Sequence, residues 1–233
     1  MLTNLQDRDV FFIDEIHRVN TTVEEYLYSA MEDFKIDILI DSGPNARTVR
    51  IDLEPFTLVG ATTRLGNIST PMRDRFGAIF RLDFYQKGEI FKILKRTASI
   101  LEMNIQDDAL TEIAGRSRGT PRIANRVLKR VRDFAQVKNV KEISLEDARS
   151  SLDSIGIDEN GLENMDRKIL KNLIVNYNGG PTGGKSLAIS INEDIQTIED
   201  VYEPYLIKEG FIERTSRGRI ATDKAYALFD LKK

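Results

Sequence analysis

The sequence predicts an α/β protein that combines part of a parallel sheet, a helical domain and a C-terminal winged helix. Three observations lead to this prediction. Short apolar runs of β-branched and aromatic residues occur in the first third of the chain, and apolar residues at helical spacing fill the middle third. The last third combines helices with a small hairpin, which is the outline of a winged helix. A chain of 233 residues has room for one large domain or two to three small ones.

Composition excludes several classes of function. The chain has no Cys, which removes disulfide scaffolds, thiol catalysis and Cys-ligated zinc. His17 is the only histidine, so a multi-histidine metal site is excluded and a Ser–His–Asp enzyme is disfavoured. No apolar run is long enough to span a membrane, and the polar start of the chain does not resemble a signal peptide. The net charge of −3 argues against a broad polyanion-binding surface, although residues 84–156 carry 14 Lys and Arg against 10 Asp and Glu.

The first predicted strand, Val10–Ile13, is apolar on both faces and ends in Asp14 and Glu15. Acidic residues at the carboxyl end of a parallel strand lie at the edge where open α/β sheets bind ligands. In phosphoryl-transfer ATPases the first acid of such a pair holds Mg²⁺ through water, and the second orients or activates the attacking water. The same pair also suits two surface acids that open the next helix, so both interpretations stay open.

The region after this strand predicts a helix and a hairpin. Apolar residues at three-to-four spacing place the helix over residues 22–34. Alternating apolar residues at 36–40 and 49–53 flank a polar tip at residues 42–45. This pattern is typical of two antiparallel strands joined by a turn.

Two further buried strands are predicted, Phe56–Gly60 and Ile79–Phe84. The first leads into Thr62 and Thr63, whose hydroxyl groups at a strand end either reach a γ-phosphate or are ordinary strand-exit residues. The segment between the strands, residues 71–77, is predicted as a loop with closely spaced arginines. Such arginines suit an arginine finger, and they equally suit an Arg–Asp ion pair that holds the loop.

Residues 87–153 predict helices throughout. Within them, residues 118–122 read RGTPR, and Pro at the first turn of a helix places Arg122 beside free backbone N–H groups. That position favours an anion, but it also suits a capped helix start with a solvated arginine. The polar, Gly-containing stretch at residues 156–161 is a candidate linker.

The last third predicts helices at residues 165–177 and 199–209, followed by short strands at 211–214 and 219–221. The hairpin made by these strands is basic and suits either contact with DNA phosphates and grooves or an exposed hairpin kept soluble by charge. Its candidate DNA-binding residues are Arg214, Arg217 and Arg219.

Residues 179–186 satisfy the phosphate-loop pattern G-x-x-x-x-G-K-[ST]. The preceding segment has helical periodicity, and no long crossover helix or second parallel strand follows it. The pattern also lies far downstream of Asp14, whereas a phosphate loop usually precedes the acidic strand. We therefore interpret this segment as a Gly-rich turn between helices.

Five segments in this order closely resemble the RuvB family: VFFIDEIHR at residues 10–18, GATTR at 60–64, PMRDRFG at 71–77, RGTPRIANR at 118–126 and GFIERTSRGRIAT at 210–222. RuvB proteins are bacterial motor ATPases of the AAA+ class that drive branch migration of Holliday junctions. The similarity covers nearly the whole chain, and RGTPRIANR together with the C-terminal wing is close to diagnostic. The resemblance implies a partial AAA+ ATPase domain at residues 1–83, a helical lid at 84–156 and a winged-helix domain at 157–233.

The resemblance also implies a role for each motif residue. Asp14 and Glu15 match the Walker B pair, with Asp14 holding Mg²⁺ through water, and Thr63 matches sensor 1. Arg75 matches the arginine finger offered to a neighbouring subunit, and Arg122 matches sensor 2. With ATP and Mg²⁺ as cofactors, the residues that line or contact the nucleotide site between subunits would also include Glu32, Asp33, Phe34 and Tyr85. Matches to DNA-contacting residues of the family are Arg214 and Arg219, to which the basic tip adds Arg217.

Partners follow from the same resemblance. It implies a homo-hexameric ring around double-stranded DNA at a Holliday junction, in the bacterial cytoplasm, with RuvC joining in the resolving complex. The hairpin at residues 35–54 resembles the one that docks onto RuvA, the junction-binding partner. Its isoleucine-rich face fits that contact, and it also fits packing against its own domain.

The sequence departs from the family in one respect. RuvB proteins carry a further N-terminal stretch with the phosphate loop and its Lys, whereas this sequence begins just before the Walker B strand. In the family's sheet a strand of that stretch lies between those that Phe56–Gly60 and Ile79–Phe84 resemble. We therefore expect unpaired strand edges and an exposed core face. We also expect that these 233 residues on their own neither bind ATP tightly nor hydrolyse it.

Two other functions stay open at this point. A non-catalytic winged-helix protein with a vestigial AAA+ remnant would bind duplex DNA through residues 157–233 without any dependence on nucleotide. Another AAA+ protein, such as a clamp-loader-like subunit, would need a different C-terminal collar, and the predicted wing argues against it.

Overall fold

The structure, a computed structural model, describes residues 1–39 and 48–231. Contacts between residues divide the chain into two units, Met1–Leu82 and Asp83–Lys233. The hairpin tip predicted at residues 42–45 lies outside the described residues. Among the residues that are described, no helix has the length and apolar character needed to cross a membrane.

The first unit opens with β1 (Val10–Ile13), whose β-branched and aromatic side chains favour a strand. Helix α1 (Thr21–Asp33) follows, and the side chain of Asn20 caps its N-terminus. The antiparallel strands β2 (Lys35–Leu39) and β3 (Thr48–Asp52) come next and form the predicted hairpin. Helix and hairpin share a small core, because the base of the hairpin packs against the end of the helix.

Strand β4 (Thr57–Gly60) pairs in parallel with β1, with Ile13 opposite Gly60. The alignment continues past the strands, since the backbone N–H of Ile16 donates to the carbonyl oxygen of Ala61 at 2.9 Å. Both strands therefore end at the same edge of the sheet. Ile16 is also the buried anchor of that edge, in the core that includes Leu27, Ile68 and Met72.

The prediction of fully buried strands was wrong for one face of this sheet. No described element covers that face, and its exposed residues are Val10, Phe12 and Val59. The exposure agrees with the separate expectation of an exposed core face. The prediction of a third strand at Ile79–Phe84 was also wrong. No described strand pairs with it, and without a partner its backbone cannot form a ladder. Phe80 and Leu82 are 85% and 93% exposed.

Helix α2 (Thr70–Arg75) occupies part of the segment predicted as a loop. The Oγ of Ser69 caps it by accepting from the backbone N–H of Met72 at 3.2 Å. Pro71 lies in the first turn, where the missing N–H removes no helical hydrogen bond. The sequence prediction of a loop overlooked these two helix-start signals.

The second unit begins with four helices, which occupy the stretch predicted to be helical at residues 87–153. They are α3 (Lys87–Ile100), α4 (Asp107–Gly115), α5 (Pro121–Val137) and α6 (Leu145–Ser154). Their apolar faces share one core, in which Leu94, Ile113 and Leu128 are fully buried.

The rest of the second unit has the arrangement of a winged helix around a second core. The helix at residues 184–191 was not predicted. The third helix of this part begins earlier than predicted, at residue 195, and continues through a π-helical turn to residue 208. The elements are α7 (Asn164–Tyr177), α8 (Gly184–Ile191), α9 (Ile195–Thr197), α10 (Glu203–Lys208), β5 (Ile212–Thr215), β6 (Gly218–Ala221) and α11 (Asp223–Ala227). The predicted domain boundaries within this unit stay a prediction.

Candidate nucleotide and DNA sites

The edge where β1 and β4 end brings together the predicted Walker B and sensor 1 residues. Oε2 of Glu15 accepts hydrogen bonds from Oγ1 of Thr63 at 3.1 Å and from its backbone N–H at 3.4 Å. Asp14 lies beside them with its carboxylate exposed, and its Oδ1 accepts from the backbone N–H of Glu15 at 3.0 Å. The parallel register therefore places two carboxylates and a hydroxyl group, which follow two neighbouring strands, at the same edge of the sheet.

Glu15 has a left-handed backbone, with φ of 50°. A residue other than glycine adopts this conformation only where its surroundings hold it, and such residues cluster at functional sites. Partial burial acts to raise the pKa of Glu15, but hydrogen bonds from Thr63 and the nearby His17 and Arg18 outweigh it and lower this pKa. The carboxylate is therefore ionised at neutral pH.

A magnesium ion fits this edge only through a small number of protein oxygens. Among the described residues, no group of three His, Cys, Asp or Glu side chains lies close enough together to form a metal site made wholly of protein ligands. Mg²⁺ keeps several of its waters and commonly takes one or two carboxylates together with substrate phosphates. The exposed carboxylate of Asp14 suits that mode of binding.

The predicted arginine finger, Arg75, lies at the end of α2 and faces α1. Its guanidinium carbon is 4.4 Å from the centre of the Tyr28 ring, and its Nη1 donates to the carbonyl oxygen of Pro71 at 2.9 Å. Its Nε is 3.0 Å from Oε1 of Glu32, which makes an ion pair although the N–H is not directed along a hydrogen bond. Two residues predicted for the nucleotide site, Arg75 and Glu32, are thus in contact.

The two residues after Glu32 in the predicted set occupy the end of α1. Asp33 is exposed, and Phe34 ends the helix with a left-handed backbone. The ring of Phe34 packs edge-on against Phe56 with 5.9 Å between ring centres, so it contributes to the core.

Tyr85 and Arg122 belong to the second unit and lie near one turn. The backbone N–H of Tyr85 donates to the carbonyl oxygen of Gly119 at 2.9 Å, and α5 begins two residues later. Gly119 has a positive φ of 68°, and a Cβ there would lie 2.7 Å from the carbonyl oxygen of Tyr85. Glycine is therefore required where this turn meets Tyr85. Arg122 lies in the first turn of the helix, and its side chain is exposed.

A buried ionic contact lies directly before this turn, and sequence analysis did not detect it. Arg118 is buried, and its Nε donates to the carbonyl oxygen of Gly161 at 2.9 Å while its Nη2 donates to Asp166. Its guanidinium also lies over the ring of Tyr205, 4.8 Å from the centre. Burial raises the pKa of Tyr205 to about 12, and its hydroxyl group donates to the carbonyl oxygen of Asn160 at 2.7 Å.

The three predicted DNA-binding arginines differ in their surroundings. Arg217 lies exposed at the tip between β5 and β6, and more than half of the Arg214 side chain is exposed. Arg219 is only 6% exposed, and its guanidinium donates to Glu203 and Glu199 at 2.5 Å each. Burial acts to lower the pKa of Arg219, but these two carboxylates outweigh it and raise this pKa.

Three family models match consecutive parts of the chain. The Holliday junction DNA helicase RuvB P-loop domain matches residues 1–82, the RuvB AAA lid domain matches residues 85–158, and the RuvB C-terminal winged helix domain matches residues 159–230. The chain belongs to the RuvB family. It has the RuvB-like AAA+ fold, with parallel strands, lid and winged helix, so the fold class predicted from the sequence is confirmed.

RuvB proteins from several bacteria are similar over nearly the whole chain. The Holliday junction branch migration complex subunit RuvB of Prosthecochloris aestuarii is 60% identical over 229 residues, which are 98% of this chain and 67% of that protein. The protein of the same name from Salinibacter ruber is 56% identical over 230 residues, or 99% of this chain and 67% of that protein. This chain therefore spans about two thirds of the length of these curated relatives.

Solved RuvB structures have the same fold. The Thermotoga maritima RuvB Holliday junction branch migration motor matches with a TM-score of 0.87 and 49% identity, over 100% of this chain and 73% of that one. A point mutant of Thermotoga maritima RuvB matches with a TM-score of 0.89 and 50% identity, over 100% and 74%.

In this RuvB-family chain, the phosphate-loop pattern at residues 179–186 is part of the winged helix. It follows helix α7 rather than a strand, and Thr182 pairs with Arg219 through two backbone hydrogen bonds of 3.0 and 2.9 Å. A Cβ on Gly184 would lie 2.5 Å from Nη1 of Arg219. Packing against the buried arginine thus accounts for the glycine before Lys185, as expected for an interhelical turn.

Proposed function

We propose that this RuvB-family chain is part of an ATP-dependent motor subunit that drives branch migration of Holliday junctions in bacterial DNA recombination and repair. One observation carries the proposal: Asp14, Glu15 and Thr63 meet at the edge where two parallel strands end. The names of the relatives support the same function. Such a subunit works in the bacterial cytoplasm on double-stranded DNA.

The residues at this edge divide the chemistry of ATP hydrolysis between them. ATP and Mg²⁺, when bound, supply the γ-phosphoryl group and the positive charge that makes it reactive. Asp14 would hold the ion through water. Glu15 uses Oε2 to bond Thr63, which leaves Oε1 to accept a hydrogen bond from the attacking water. Because neither residue forms a bond to phosphorus, catalysis rests on positioning and electrostatics.

Arg75 acts on the nucleotide of a neighbouring subunit in a homo-hexameric ring. Its planar guanidinium spreads positive charge over the phosphate oxygens in the transition state. In this chain Tyr28 and Glu32 hold that group at the surface of the first unit. Arg122 and Tyr85, together with Asp33 and Phe34, complete the nucleotide contacts of the assembled ring.

DNA and protein partners bind at two hairpins. The exposed arginines of the wing, Arg214 and Arg217, contact phosphates of duplex DNA, and Arg219 supports the same hairpin through its bonds to Glu199 and Glu203. RuvA docks on the hairpin at residues 35–54, where the paired residues Ile38 and Val49 are exposed. An apolar pair on an exposed strand surface suits a protein partner. RuvC joins the assembly when the junction is resolved.

Hydrolysis of ATP by a longer chain tests the proposal. We extend the chain upstream with the N-terminal segment of a RuvB relative and compare the extended protein with its Glu15→Gln variant. The extended protein hydrolyses ATP, and the variant loses the activity because its amide cannot take up a proton from water. We expect the 233 residues on their own to show no activity.

An exposed acid on α1 provides the control for this experiment. Glu25→Gln removes the same charge on the neighbouring helix, and we expect full activity. If the extended protein binds duplex DNA but hydrolyses no ATP, the motor function is wrong and a non-catalytic DNA-binding function takes its place.

A further inference from the structure

The only histidine of the chain lies against the edge of the sheet that carries the candidate catalytic residues. Nδ1 of His17 is 2.9 Å from Oγ1 of Thr62 and 3.1 Å from Oε2 of Glu15. The side chain is 8% exposed. One ring nitrogen therefore contacts residues that follow two different strands.

The backbone brings the ring to this place. The left-handed conformation of Glu15 reverses the chain after β1, and the short helical turn Ile16–Arg18 returns it toward the end of β4. The hydrogen bond from Ile16 to Ala61 fixes that turn against the neighbouring strand. The position of His17 is thus set by the same backbone that sets Glu15.

The carboxylate beside Nδ1 favours a proton on that nitrogen. Oγ1 of Thr62 accepts from the backbone N–H of Arg64 at 3.0 Å and can still either donate to Nδ1 or accept from it, whereas Oε2 of Glu15 only accepts. A lone pair on Nδ1 would face that carboxylate at 3.1 Å and repel it, whereas an N–H that donates to Oγ1 of Thr62 presents a partial positive charge to it. Glu24 of α1 lines the same small cavity as the ring, together with Asn67 and Met72.

We propose that His17 is a positioning residue for Glu15. Its Nδ1–H bonds Oγ1 of Thr62, and the partial positive charge of this N–H attracts Oε2 of Glu15 and holds it beside the hydroxyl groups that follow β4, so that Oε1 keeps one direction toward the attacking water. The hydroxyl group of Thr63, which follows β4, donates a hydrogen bond to the same oxygen. The role of this contact in hydrolysis rests on the proposed function, but the contact itself does not require ATP.

The contact is tested on the 233-residue chain by NMR. Labelling with ¹⁵N-histidine gives one pair of ring signals, because the chain has a single histidine. We expect chemical shifts of the Nδ1–H tautomer in the unaltered protein and a clear change in Glu15→Ala. Glu25→Ala, which removes an exposed acid from α1, leaves the signals in place. Equal ring shifts in the unaltered protein and in Glu15→Ala would overturn the proposal.

The catalytic consequence is tested in the upstream-extended protein with two variants. His17→Leu keeps a comparable apolar volume but removes the donor, and His17→Asn keeps an amide N–H near the position of Nδ1. We expect His17→Leu to lower kcat about tenfold to a hundredfold with little change in KM for ATP, because the carboxylate of Glu15 is no longer held in one orientation. We expect His17→Asn to keep most of the kcat that His17→Leu loses.

Two outcomes separate this proposal from others. If His17→Leu and His17→Asn lower kcat equally while thermal unfolding shows that both variants are folded, the volume of the imidazole ring rather than its N–H group accounts for the effect. The proposal is then wrong. If the unaltered extended protein hydrolyses no ATP, the proposed function fails, whereas the NMR experiment still decides whether His17 holds Glu15.

Discussion

Arg118 donates a hydrogen bond from Nη2 to Oδ2 of Asp166 at 2.5 Å, and both side chains are buried. Arg118 directly precedes the turn that carries Arg122, and Asp166 lies in the first turn of α7. The pair therefore ties the start of the candidate nucleotide-sensing helix to the first helix of the winged-helix fold.

We expect Arg118→Met to lower the free energy of unfolding of the second unit by about 3–5 kcal/mol, because it leaves the carboxylate of Asp166 buried without its partner. Chemical denaturation measures the change. Arg126→Met is the control, because Arg126 is mostly exposed and bonds the partly exposed Glu163 at 3.2 Å. That variant loses no more than about 1 kcal/mol. Equal losses in the two variants would contradict a special role for the buried pair.

Asp166 also predicts a dependence of stability on pH. Burial raises the pKa of Asp166 above that of an ordinary carboxyl group, although Arg118 and the backbone N–H of Glu163 act in the opposite direction. The folded state then binds the proton more tightly than the unfolded chain does. The contribution of Asp166 to the free energy of unfolding therefore falls as pH rises from the ordinary carboxyl range through the raised pKa.

Asp166→Asn isolates this contribution because it keeps the shape and cannot titrate. The free energy of unfolding of the unaltered protein, minus that of the variant, should fall with rising pH across that range. Denaturation curves at a series of acidic pH values measure it. A difference that stays constant or rises with pH would show that the pKa of Asp166 is not raised.

Arg75 predicts complementation between defective subunits. In the upstream-extended protein, Arg75→Ala should lower ATP hydrolysis by at least about 10³-fold, because the arginine stabilises charge in the transition state. Arg73→Ala, which removes an arginine that donates to Thr70, is the control. Mixing Arg75→Ala with Glu15→Gln subunits restores part of the activity, because a neighbour supplies the intact arginine. If mixtures of the two variants stay inactive, Arg75 does not act between subunits.

The wing predicts two different effects of removing an arginine. Arg217→Ala should weaken binding of duplex DNA alike for all sequences and lower the slope of log affinity against log salt by about 0.9, with unfolding unchanged. Arg219→Ala should lower the free energy of unfolding by about 3–5 kcal/mol, because Glu203 stays buried and loses the partner that bonds it at 2.5 Å, which leaves it Arg214 at 3.9 Å. Salt titrations of DNA binding and denaturation curves measure the two effects. If Arg219→Ala changes only DNA affinity, the carboxylate cluster is not structural.

Exposed apolar residues at the end of the first unit predict poor solubility of the 233-residue chain. The double variant Phe80→Ser and Leu82→Ser should increase the monomer fraction in light scattering and change the free energy of unfolding by less than about 0.5 kcal/mol. Phe76→Ser provides the contrast, because Phe76 packs against the first-unit core and its loss destabilises the fold. Unchanged self-association in the double variant would contradict this prediction.

Local patterns in the sequence predicted most helices and the two strands that lead into Glu15 and Thr63, and the resemblance to RuvB supplied the expectation that these residues share one site. Strand ends are readable because the apolar run stops where the polar residues begin, and a parallel register brings both ends to one edge. The segment Ile79–Phe84 has an equally good local pattern but forms no strand, because a strand depends on a partner that local sequence does not specify.

Burial of charged residues was not predictable from local sequence. In the sequence, Arg219 has the same basic surroundings as Arg214 and Arg217. Only the fold brings Glu199 and Glu203 into contact with it. The contact of His17 with Glu15 was also missed, although a lone histidine two residues after an acidic pair was a signal that deserved weight. Both contacts join residues whose proximity depends on the path of the backbone.

The third helix of the winged-helix fold, at residues 195–208, carries Glu199, Asp200 and Glu203 where related DNA-binding folds place the helix that reads base edges. Glu203 is buried against Arg219, and Glu199 bonds the same arginine, so these two acids neutralise a charge of the wing. The exposed Arg217 is left to meet the phosphates of a duplex, and because phosphates are alike in every duplex, we expect binding through the wing to be alike for all sequences.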